Sequence, residues 1–255
     1  MDLGLQGARV IVTAGAGGIG RVIVDAFRAE GAQVAVCDID EAALASLPKD
    51  VFRAKIDVAQ SAALVGFMAD AMAHLGGLDC LVNNAGIAGP TARIEDLDAA
   101  AISHCLAVCL TSQFLTIGQA VPELRQSENP SIINISSLAG RLGFKLRSPY
   151  AAAKWGVIGL TKSMAVELGA DRIRVNAVLP GIVAGDRQRR VLEARAQSRG
   201  LPFAQIEAEA FSYTAIKDYV TPEQIADQIL YLASARSKTM TGQAISVCGD
   251  TGLLG

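Results

Sequence analysis

The chain has 255 residues, of which 51% are hydrophobic and 19% are charged, a balance typical of globular rather than disordered proteins. Its net charge of −2 indicates no basic surface for nucleic acid, and no uninterrupted apolar run approaches the roughly 20 residues of a membrane-spanning helix. The five scattered cysteines and two isolated histidines form no ligand pattern, so we predict no metal site, no structural disulfide and a cytoplasmic location.

Strand-like apolar segments alternate with segments of helical periodicity along the whole chain. The predicted strands are 8–13, 33–38, 51–57, 79–83, 131–136, 173–179 and 243–248, and the predicted helices are 19–30, 61–75, 99–123, 151–168 and 222–233. The strands are rich in Val and Ile and apolar on both faces, which is typical of parallel strands covered on both sides. We therefore predict one α/β domain over residues 1–255, built on a doubly wound, parallel, seven-stranded sheet.

Residues 185–219 are the least regular part of the chain. They lack a β pattern and contain a group of arginines, so we predict an insertion that covers one end of the sheet as a lid.

The segment 13–20, Thr-Ala-Gly-Ala-Gly-Gly-Ile-Gly, lies between the first predicted strand and the first predicted helix. Glycines let the backbone approach a pyrophosphate, and the N-terminus of a helix favours its negative charge. Asp38 ends the next strand, at the spacing where an acid binds the adenosine ribose hydroxyls. Its charge would repel the extra phosphate of NADP, so we predict NAD, although Asp38 could also be an ordinary turn residue.

More polar residues follow other predicted strands. Asp57-Val58 follows the third strand, Asn84-Ala85-Gly86 the fourth and Ser137 the fifth. Each could be an ordinary turn, but the carboxyl ends of parallel strands lie at one edge of a sheet, where ligands bind. The pattern therefore predicts a single site at that edge.

Tyr150 and Lys154 are spaced i, i+4, which places them on one face of a helix. There the ammonium could stabilise a phenolate, so the pair indicates proton-transfer chemistry. Tyr213 and Lys217 repeat the spacing among charged residues, and we predict a solvated surface or lid segment without a catalytic role.

Five motifs occur in one characteristic order and spacing. They are the glycine loop, Asn83–Gly86, Ser137, Tyr150/Lys154 and the segment 174–181, Arg-Val-Asn-Ala-Val-Leu-Pro-Gly. In these motifs the chain resembles the compact, single-domain branch of the short-chain dehydrogenase/reductase family over nearly its whole length. The resemblance implies a Rossmann-like fold and reversible hydride transfer between NAD and a secondary alcohol or its ketone.

The resemblance also implies roles for individual residues. Tyr150 would exchange a proton with the substrate oxygen, Lys154 would bind the nicotinamide ribose and stabilise the phenolate, and Ser137 would hydrogen-bond the substrate oxygen. The cofactor-binding residues would be Gly15, Gly18, Ile19, Gly20, Asp38, Asp57, Val58, Asn84, Ala85, Gly86, Tyr150, Lys154, Pro180 and Val183. Of these, Asp57 and Val58 would contact the adenine, Asn84 would line the cofactor channel, and the Pro180–Val183 backbone would meet the carboxamide.

Three positions depart from the family pattern. Ala14 stands where the first loop glycine is expected, and Cys109 stands where an asparagine usually helps to order a water beside the lysine. Gly185 replaces a threonine hydroxyl near the carboxamide. The cysteine puts the proton relay in question, although the backbone carbonyl used by that relay is present in any residue.

Substrate identity lies in the less regular segments. Arg141, Lys145 and Arg147, with Arg187, Arg189 and Arg190, could bind an anionic substrate or could be solvated surface charges. Two alternative functions stay open: an NADPH-dependent carbonyl or 3-ketoacyl reductase, and a non-catalytic NAD-binding sensor or scaffold. The resemblance further implies a homo-oligomer, a tetramer or dimer, paired through the helices around 99–123 and 151–168.

Overall fold

One parallel sheet in the strand order β3-β2-β1-β4-β5-β6-β7 organises the protein. This computed structural model describes residues 2–252, apart from the side chains of Asp186, Arg187, Ala194 and Ser198. Within that part of the chain the strands are β1 (Arg9–Thr13), β2 (Gln33–Asp38), β3 (Phe52–Lys55), β4 (Cys80–Asn83), β5 (Ser131–Ile135), β6 (Arg174–Pro180) and β7 (Ala244–Val247). All of these pairings are parallel, which confirms the predicted doubly wound, seven-stranded fold.

Helices cover both faces of the sheet. They are α1 (Gly18–Ala29), α2 (Glu41–Ala45), α3 (Ser61–Leu75), α4 (Ala99–Leu106), α5 (Ser112–Leu124), α6 (Ser148–Glu167), α7 (Asp186–Arg199), α8 (Phe203–Phe211) and α9 (Pro222–Ala233). Helices α1, α2 and α9 pack on one face, and α3, α4, α5 and α6 pack on the other. The predicted helices are therefore present, with ends that differ by a few residues.

Strand β1 illustrates why the strands are apolar on both sides. Val10 and Val12 are fully buried against the α1 and α9 side, whereas Ile11 between them is fully buried against the α3 and α5 side. Successive side chains of a strand point to opposite faces of the sheet. A sheet that is covered by helices on both faces therefore needs apolar residues at every position.

A buried row of polar side chains crosses the sheet near the carboxyl ends of its central strands. Thr116 on α5 donates from Oγ1 to Asn83 Oδ1 over 2.6 Å, and Asn83 Nδ2 donates to Asn134 Oδ1 over 2.9 Å. Asn134 Nδ2 then donates to Thr161 Oγ1 on α6 over 3.0 Å. Because all four side chains are buried, these bonds satisfy groups that would otherwise be costly in the core.

The helix predicted over 99–123 contains an irregular turn. A wide, π-helical turn at Ala107–Thr111 separates α4 from α5, and Cys109 lies at its centre. Within residues 2–252, the combined stretch Ala99–Leu124 is the one helical segment long and apolar enough to cross a membrane by length and composition. Core helices pass the same test, and this stretch packs against α3, α6 and β4.

Helix α6 begins three residues earlier than predicted. It starts at Ser148 rather than at Ala151, with Pro149 in the first turn, where the missing N–H of proline costs nothing. Tyr150 therefore lies inside the first turn of the helix rather than just before it.

The region predicted as an irregular lid, 185–219, is largely helical. Helices α7 and α8 occupy most of it, and residues 212–219 form turns and bends with one isolated bridge, between Thr214 and Thr251. Leu192, Ala196 and Ile206 form a small separate core between the two helices. The absence of a β pattern agrees with the structure, but the two helices were not predicted, because the apolar face that they bury against each other is narrow.

Candidate active site

The glycine loop connects β1 to α1 at the carboxyl edge of the sheet. A Cβ on Gly20 would lie 2.1 Å from the Ala14 carbonyl oxygen and 2.6 Å from Asn84 Nδ2, so only glycine fits there. Gly17 and Gly18 face open space on their Cβ sides, and Gly18 has a φ of +52°. No side chain caps α1 and its first turn has no acidic residue, which leaves its N-terminus suited to a phosphate group.

The other predicted loop residues flank this opening. Ile19 is half-buried in the first turn of α1. Gly15 packs against β2, because a Cβ there would come within 3.0 Å of the side chain of Val36.

Asp38, at the end of β2, is bonded directly to the glycine loop. Its Oδ2 accepts from the backbone N–H of Ala16 over 3.0 Å, and its Oδ1 accepts from the N–H groups of Ile39 and Asp40 over 2.7 and 3.1 Å. The carboxylate therefore holds a fixed position one strand away from the loop.

Asp57 and Val58 lie between β3 and α3, at the same edge. The Asp57 carboxylate accepts from the backbone N–H of Ala59 over 2.9 Å, and the Val58 side chain is buried. Asp57 thus makes a local turn of the type its sequence alone also allowed.

Asn84 ties β4 to the glycine loop. Its Nδ2 donates to the carbonyl oxygens of Thr13 and Ala14 over 3.1 and 2.9 Å, while Thr13 Oγ1 accepts from the N–H groups of Asn84 and Ala85 over 3.0 Å each. Asn84 is therefore a positioning residue of the loop. Gly86, two residues on, lies against Lys154, because a Cβ there would be 3.5 Å from its Nζ.

The carboxyl end of β5 is fastened to α6 by two bonds to one residue. Lys154 Nζ donates to the Ile135 carbonyl oxygen over 2.8 Å, and Ser136 Oγ donates to the Lys154 carbonyl oxygen, also over 2.8 Å. Ser137 follows directly and accepts from the Ala139 N–H over 3.2 Å in a short 3-10 turn. This turn packs tightly on α6, since a Cβ on Gly140 would lie 2.6 Å from the Lys154 carbonyl oxygen.

Tyr150 and Lys154 share one face of α6, as their spacing predicts. Lys154 Nζ lies 5.8 Å from the centre of the Tyr150 ring, and the lysine is buried while the tyrosine is half-buried. The structure thus brings Ser137, Tyr150 and Lys154 to the end of β5. Tyr213 is half exposed, and Lys217 Nζ binds the carbonyl oxygens of Phe211 and Thr214 over 3.0 and 3.2 Å, so this second pair is engaged in ending α8.

Pro180 ends β6 at the same edge and is buried. The next residues leave the sheet: the Gly181 N–H donates to the Val247 carbonyl oxygen over 2.9 Å, and Val183 forms an isolated bridge with Val220. This segment therefore connects β6 to α7.

Known proteins are similar to this chain over most of its length. A family model described as enoyl-(acyl carrier protein) reductase matches residues 13–253. Among curated relatives, the D-beta-hydroxybutyrate dehydrogenase of Cupriavidus necator is 32% identical, over 93% of this chain and 95% of its own length. The trans-4-hydroxycyclohexanecarboxylate dehydrogenase of Sinomonas cyclohexanicum is 36% identical, over 94% and 90%.

The chain belongs to the short-chain dehydrogenase/reductase family of oxidoreductases. Among solved structures, ligand-free aldohexose dehydrogenase from Thermoplasma acidophilum superposes with a TM-score of 0.90 at 28% identity, and the match covers 98% of this chain and 96% of that one. Proteins of this family bind a nicotinamide cofactor, and the open glycine loop with its uncapped helix fits such a dinucleotide.

The first departure from the family pattern places strain in the glycine loop. Ala14 has a φ of +51°, in the left-handed region that disfavours a Cβ. Its carbonyl oxygen accepts from Asn84 Nδ2, and this bond helps to hold the alanine in that conformation.

The second departure, Cys109, fills its position with a thiol. Its Sγ lies 3.4 Å from the Ile87 backbone nitrogen and 3.6 Å from the Ile87 carbonyl oxygen, so the side chain ties the wide turn to the segment after β4. Gln113 Nε2 donates to the Cys109 carbonyl oxygen over 3.4 Å. Sequence reasoning missed Gln113, although a polar residue one turn after Cys109 on an apolar helix was a usable signal.

The third departure has a backbone reason. Gly185 precedes α7 with a φ of +140°, a conformation that a threonine would rarely adopt. The glycine therefore determines how the chain enters α7.

The predicted cations fall into different environments. Arg141 binds the Ala244 carbonyl oxygen and Ser246 Oγ of β7, and Arg189 pairs with Glu193 over 2.9 Å. Lys145 and Arg190 are exposed, and the Arg187 side chain lies outside the described residues. Arg147 alone of the described set lies against Tyr150, with its guanidinium carbon 4.7 Å from the ring centre.

Proposed function

We propose that this chain is an NAD-dependent dehydrogenase that interconverts a secondary alcohol and its ketone. The observation that carries the proposal is the convergence of Ser137, Tyr150 and Lys154 at the end of β5, with the Lys154 ammonium 5.8 Å from the Tyr150 ring. A phenol beside a buried ammonium can give up and take back a proton, which is the acid–base half of alcohol oxidation. The two relatives above, by their names, also act on hydroxyl groups.

Three side chains have distinct roles in the proposed reaction. Tyr150 removes the hydroxyl proton of the alcohol, or returns it to the ketone oxygen in the reverse direction. Ser137 donates a hydrogen bond to that same oxygen and stabilises the charge that develops on it. Lys154 holds its positive charge beside the phenol, because its Nζ is fixed on the Ile135 carbonyl oxygen. A nicotinamide cofactor, when bound, supplies the hydride acceptor or donor.

The preference for NAD over NADP is supported by Asp38. Its carboxylate is fixed between the glycine loop and the start of the next loop by three backbone N–H donors. A fixed negative charge favours the ribose hydroxyls of NAD and repels the additional phosphate of NADP. Ile39, the next residue, is 63% exposed and offers no cation to offset that charge.

Replacing Tyr150 with Phe tests the catalytic assignment. We expect NADH formation from secondary alcohols to fall by at least about 100-fold, since general acid–base groups contribute about that much or more. The matched control is Tyr213→Phe, which alters the other Tyr-x-x-x-Lys pair and should retain activity. Retention of most activity in the Tyr150 variant would contradict the proposal.

Three alternatives are separated by simple assays. A carbonyl or 3-ketoacyl reductase would use NADPH in preference to NADH, and the enoyl reductase activity named in the family model's description would reduce a carbon–carbon double bond instead. A sensor or scaffold would bind NAD tightly without turnover on a broad panel of alcohols. Asp38 argues against the NADPH-dependent reductase, and the assembled Ser137, Tyr150 and Lys154 argue against the sensor or scaffold.

We also propose a homo-oligomer, a tetramer or dimer, that pairs through α5 and α6. Phe114 and Trp155 are each 53% exposed, and Val166 is 86% exposed. A cavity of about 270 Å³ opens between the same two helices. Large exposed apolar side chains on neighbouring helices favour burial against another protein surface. Light scattering in solution tests the oligomeric state.

A cytoplasmic location, without membrane or nucleic-acid partners, stays a prediction from composition.

A further inference from the structure

The arginine side chains differ in their interaction partners. Arg141 serves the sheet, because its guanidinium bonds to Ala244 and Ser246 on β7. Arg199 forms an ion pair with Glu209 between α7 and α8. The guanidinium of Arg147 has partners as well, and it lies beside the Tyr150 ring.

Two aromatic rings and one carbonyl fix the Arg147 guanidinium. Its central carbon lies 4.7 Å from the centre of the Tyr150 ring and 4.8 Å from the centre of the Phe144 ring. Its Nη2 also donates to the Ala88 carbonyl oxygen. These contacts leave a planar cation at a set orientation, which is the property that makes arginine suited to carboxylate recognition.

The distances place this charge within reach of a small substrate. The centre of the Tyr150 ring lies 4.7 Å from the Arg147 guanidinium carbon, and the phenolic oxygen is attached to that ring. One small molecule can therefore contact both the Arg147 charge and the Tyr150 hydroxyl. Arg147 also directly precedes α6, a 20-residue helix with no acidic residue in its first turn, so the helix adds positive potential at the same place.

We propose that Arg147 is a specificity-determining residue that binds the carboxylate of the substrate. The substrate class is then a short hydroxy acid. Its carboxylate lies a few bonds from the carbinol carbon, whose hydroxyl proton Tyr150 removes. This inference rests on the proposed dehydrogenase function and narrows its substrate. The inference depends on the position of the Arg147 charge and does not require a guanidinium without protein partners. A guanidinium has five donors and can share them between protein and ligand.

The competing explanation is that Arg147 only holds the Ala88 segment and the Tyr150 ring in place. A purely structural arginine would affect acidic and neutral ligands alike. A carboxylate-binding arginine would discriminate between two ligands of the same shape that differ only in charge. The matched pair butyrate and butyramide makes that comparison.

The experiment measures inhibition of 2-butanol oxidation by butyrate and by butyramide, together with kcat/KM for 3-hydroxybutyrate and 2-butanol. Wild type, Arg147→Gln, Arg147→Lys and Lys145→Gln are compared. We expect wild type to bind butyrate at least about tenfold more tightly than butyramide, as for a charge-assisted hydrogen bond. In R147Q the ratio should fall to near one, in R147K it should be intermediate, and K145Q, on the same loop but exposed, should keep the wild-type ratio.

Three results would overturn the inference: equal inhibition of wild type by both ligands, an unchanged ratio in R147Q, or an equal loss of ratio in K145Q. If no alcohol is oxidised by wild type, the proposed function fails, and the same ligands are then compared by the thermal shift they give to the NAD complex. An Arg147-dependent shift with butyrate alone would retain the subsite without the dehydrogenase. Equal shifts with both ligands would remove the subsite as well.

Discussion

Lys154 Nζ lies 2.8 Å from the carbonyl oxygen of Ile135, in a position where the lysine is only 3% exposed. An ammonium in such a place is costly for stability, because charge is removed from water and receives only partial compensation. The bond joins α6 to the strand that leads into Ser137, so one residue sets both the charge and the geometry of the candidate site.

From this relationship we expect Lys154→Met to separate activity from stability. Alcohol oxidation should fall by at least about 100-fold, because the phenol loses its neighbouring charge. The melting temperature should stay equal or rise, since a buried ammonium is replaced by an apolar chain of similar length. Calorimetry and an NADH assay on one preparation measure both, and an active variant with a lowered melting temperature would contradict the assignment.

Asp38→Asn should weaken the discrimination between the two nicotinamide cofactors. Removing the charge while keeping the shape should lower the ratio of kcat/KM for NAD to that for NADP by at least about tenfold. Asp40→Asn is the matched control, because Asp40 is a neighbouring carboxylate that caps α2 through the Ala43 N–H. An equal change in both variants would indicate a general field effect instead of a contact at Asp38.

Ala14→Gly should stabilise the protein. Glycine relieves the left-handed conformation at φ +51°, and this gain exceeds the entropy lost by the freer chain, for a net of about 0.5–1 kcal/mol. Ala16→Gly in the same loop has no positive φ to relieve and should destabilise, because the Ala16 methyl is buried. Urea unfolding of both variants gives the two signs, and a loss of stability in A14G would refute the assignment of strain.

The ion pair of Arg9 and Asp79 should contribute to stability with a defined pH dependence. Burial alone would raise the pKa of Asp79, but hydrogen bonds from the Arg9 and Ser127 side chains and the Arg9 N–H outweigh it and lower the pKa below its ordinary 3.8. A carboxyl whose pKa is lowered by folding stabilises the protein above its unfolded pKa and loses that contribution as pH falls through the folded pKa. Asp79→Asn should therefore cost about 2–3 kcal/mol at pH 7.

This deficit should shrink as the pH falls below the ordinary carboxyl pKa of 3.8, where protons bind the unfolded chain first, and its ionic part should be lost below the lower pKa of the folded Asp79. Chemical unfolding at a series of pH values measures it. Asp50→Asn is the control, because Asp50 pairs with Arg28 at the surface with its side chain 67% exposed, and its effect should be much smaller. A deficit that does not change between pH 7 and pH 3 would exclude the ionic origin.

The sheet and the site edge could be predicted because their signals are local. Apolar runs such as 131–136 leave little alternative to a buried strand, and Asp38, Asn84 and Ser137 each follow such a run directly. Once the strands are parallel, their carboxyl ends must lie together, so the convergence follows from topology.

What could not be predicted depends on contacts between distant residues. The helical nature of α7 and α8 rests on a small core around Leu192 and Ile206, which a charged sequence does not reveal. The different environments of the cations likewise depend on contacts between distant residues. Arg141 and Arg147 are similar in sequence context, yet one binds an edge strand and the other lies against the phenol.

The buried row from Thr116 through Asn83 and Asn134 to Thr161 determines where motion can occur. Sliding α5 or α6 along the sheet by one residue would break directional bonds in a dry interior, so both helices are locked to the strands between them. We therefore expect opening motions to occur in the α7–α8 pair, which has its own small core, before they occur at the carboxyl ends of β4 and β5. Backbone amides of β4 and β5 should consequently be among the last to exchange with deuterium.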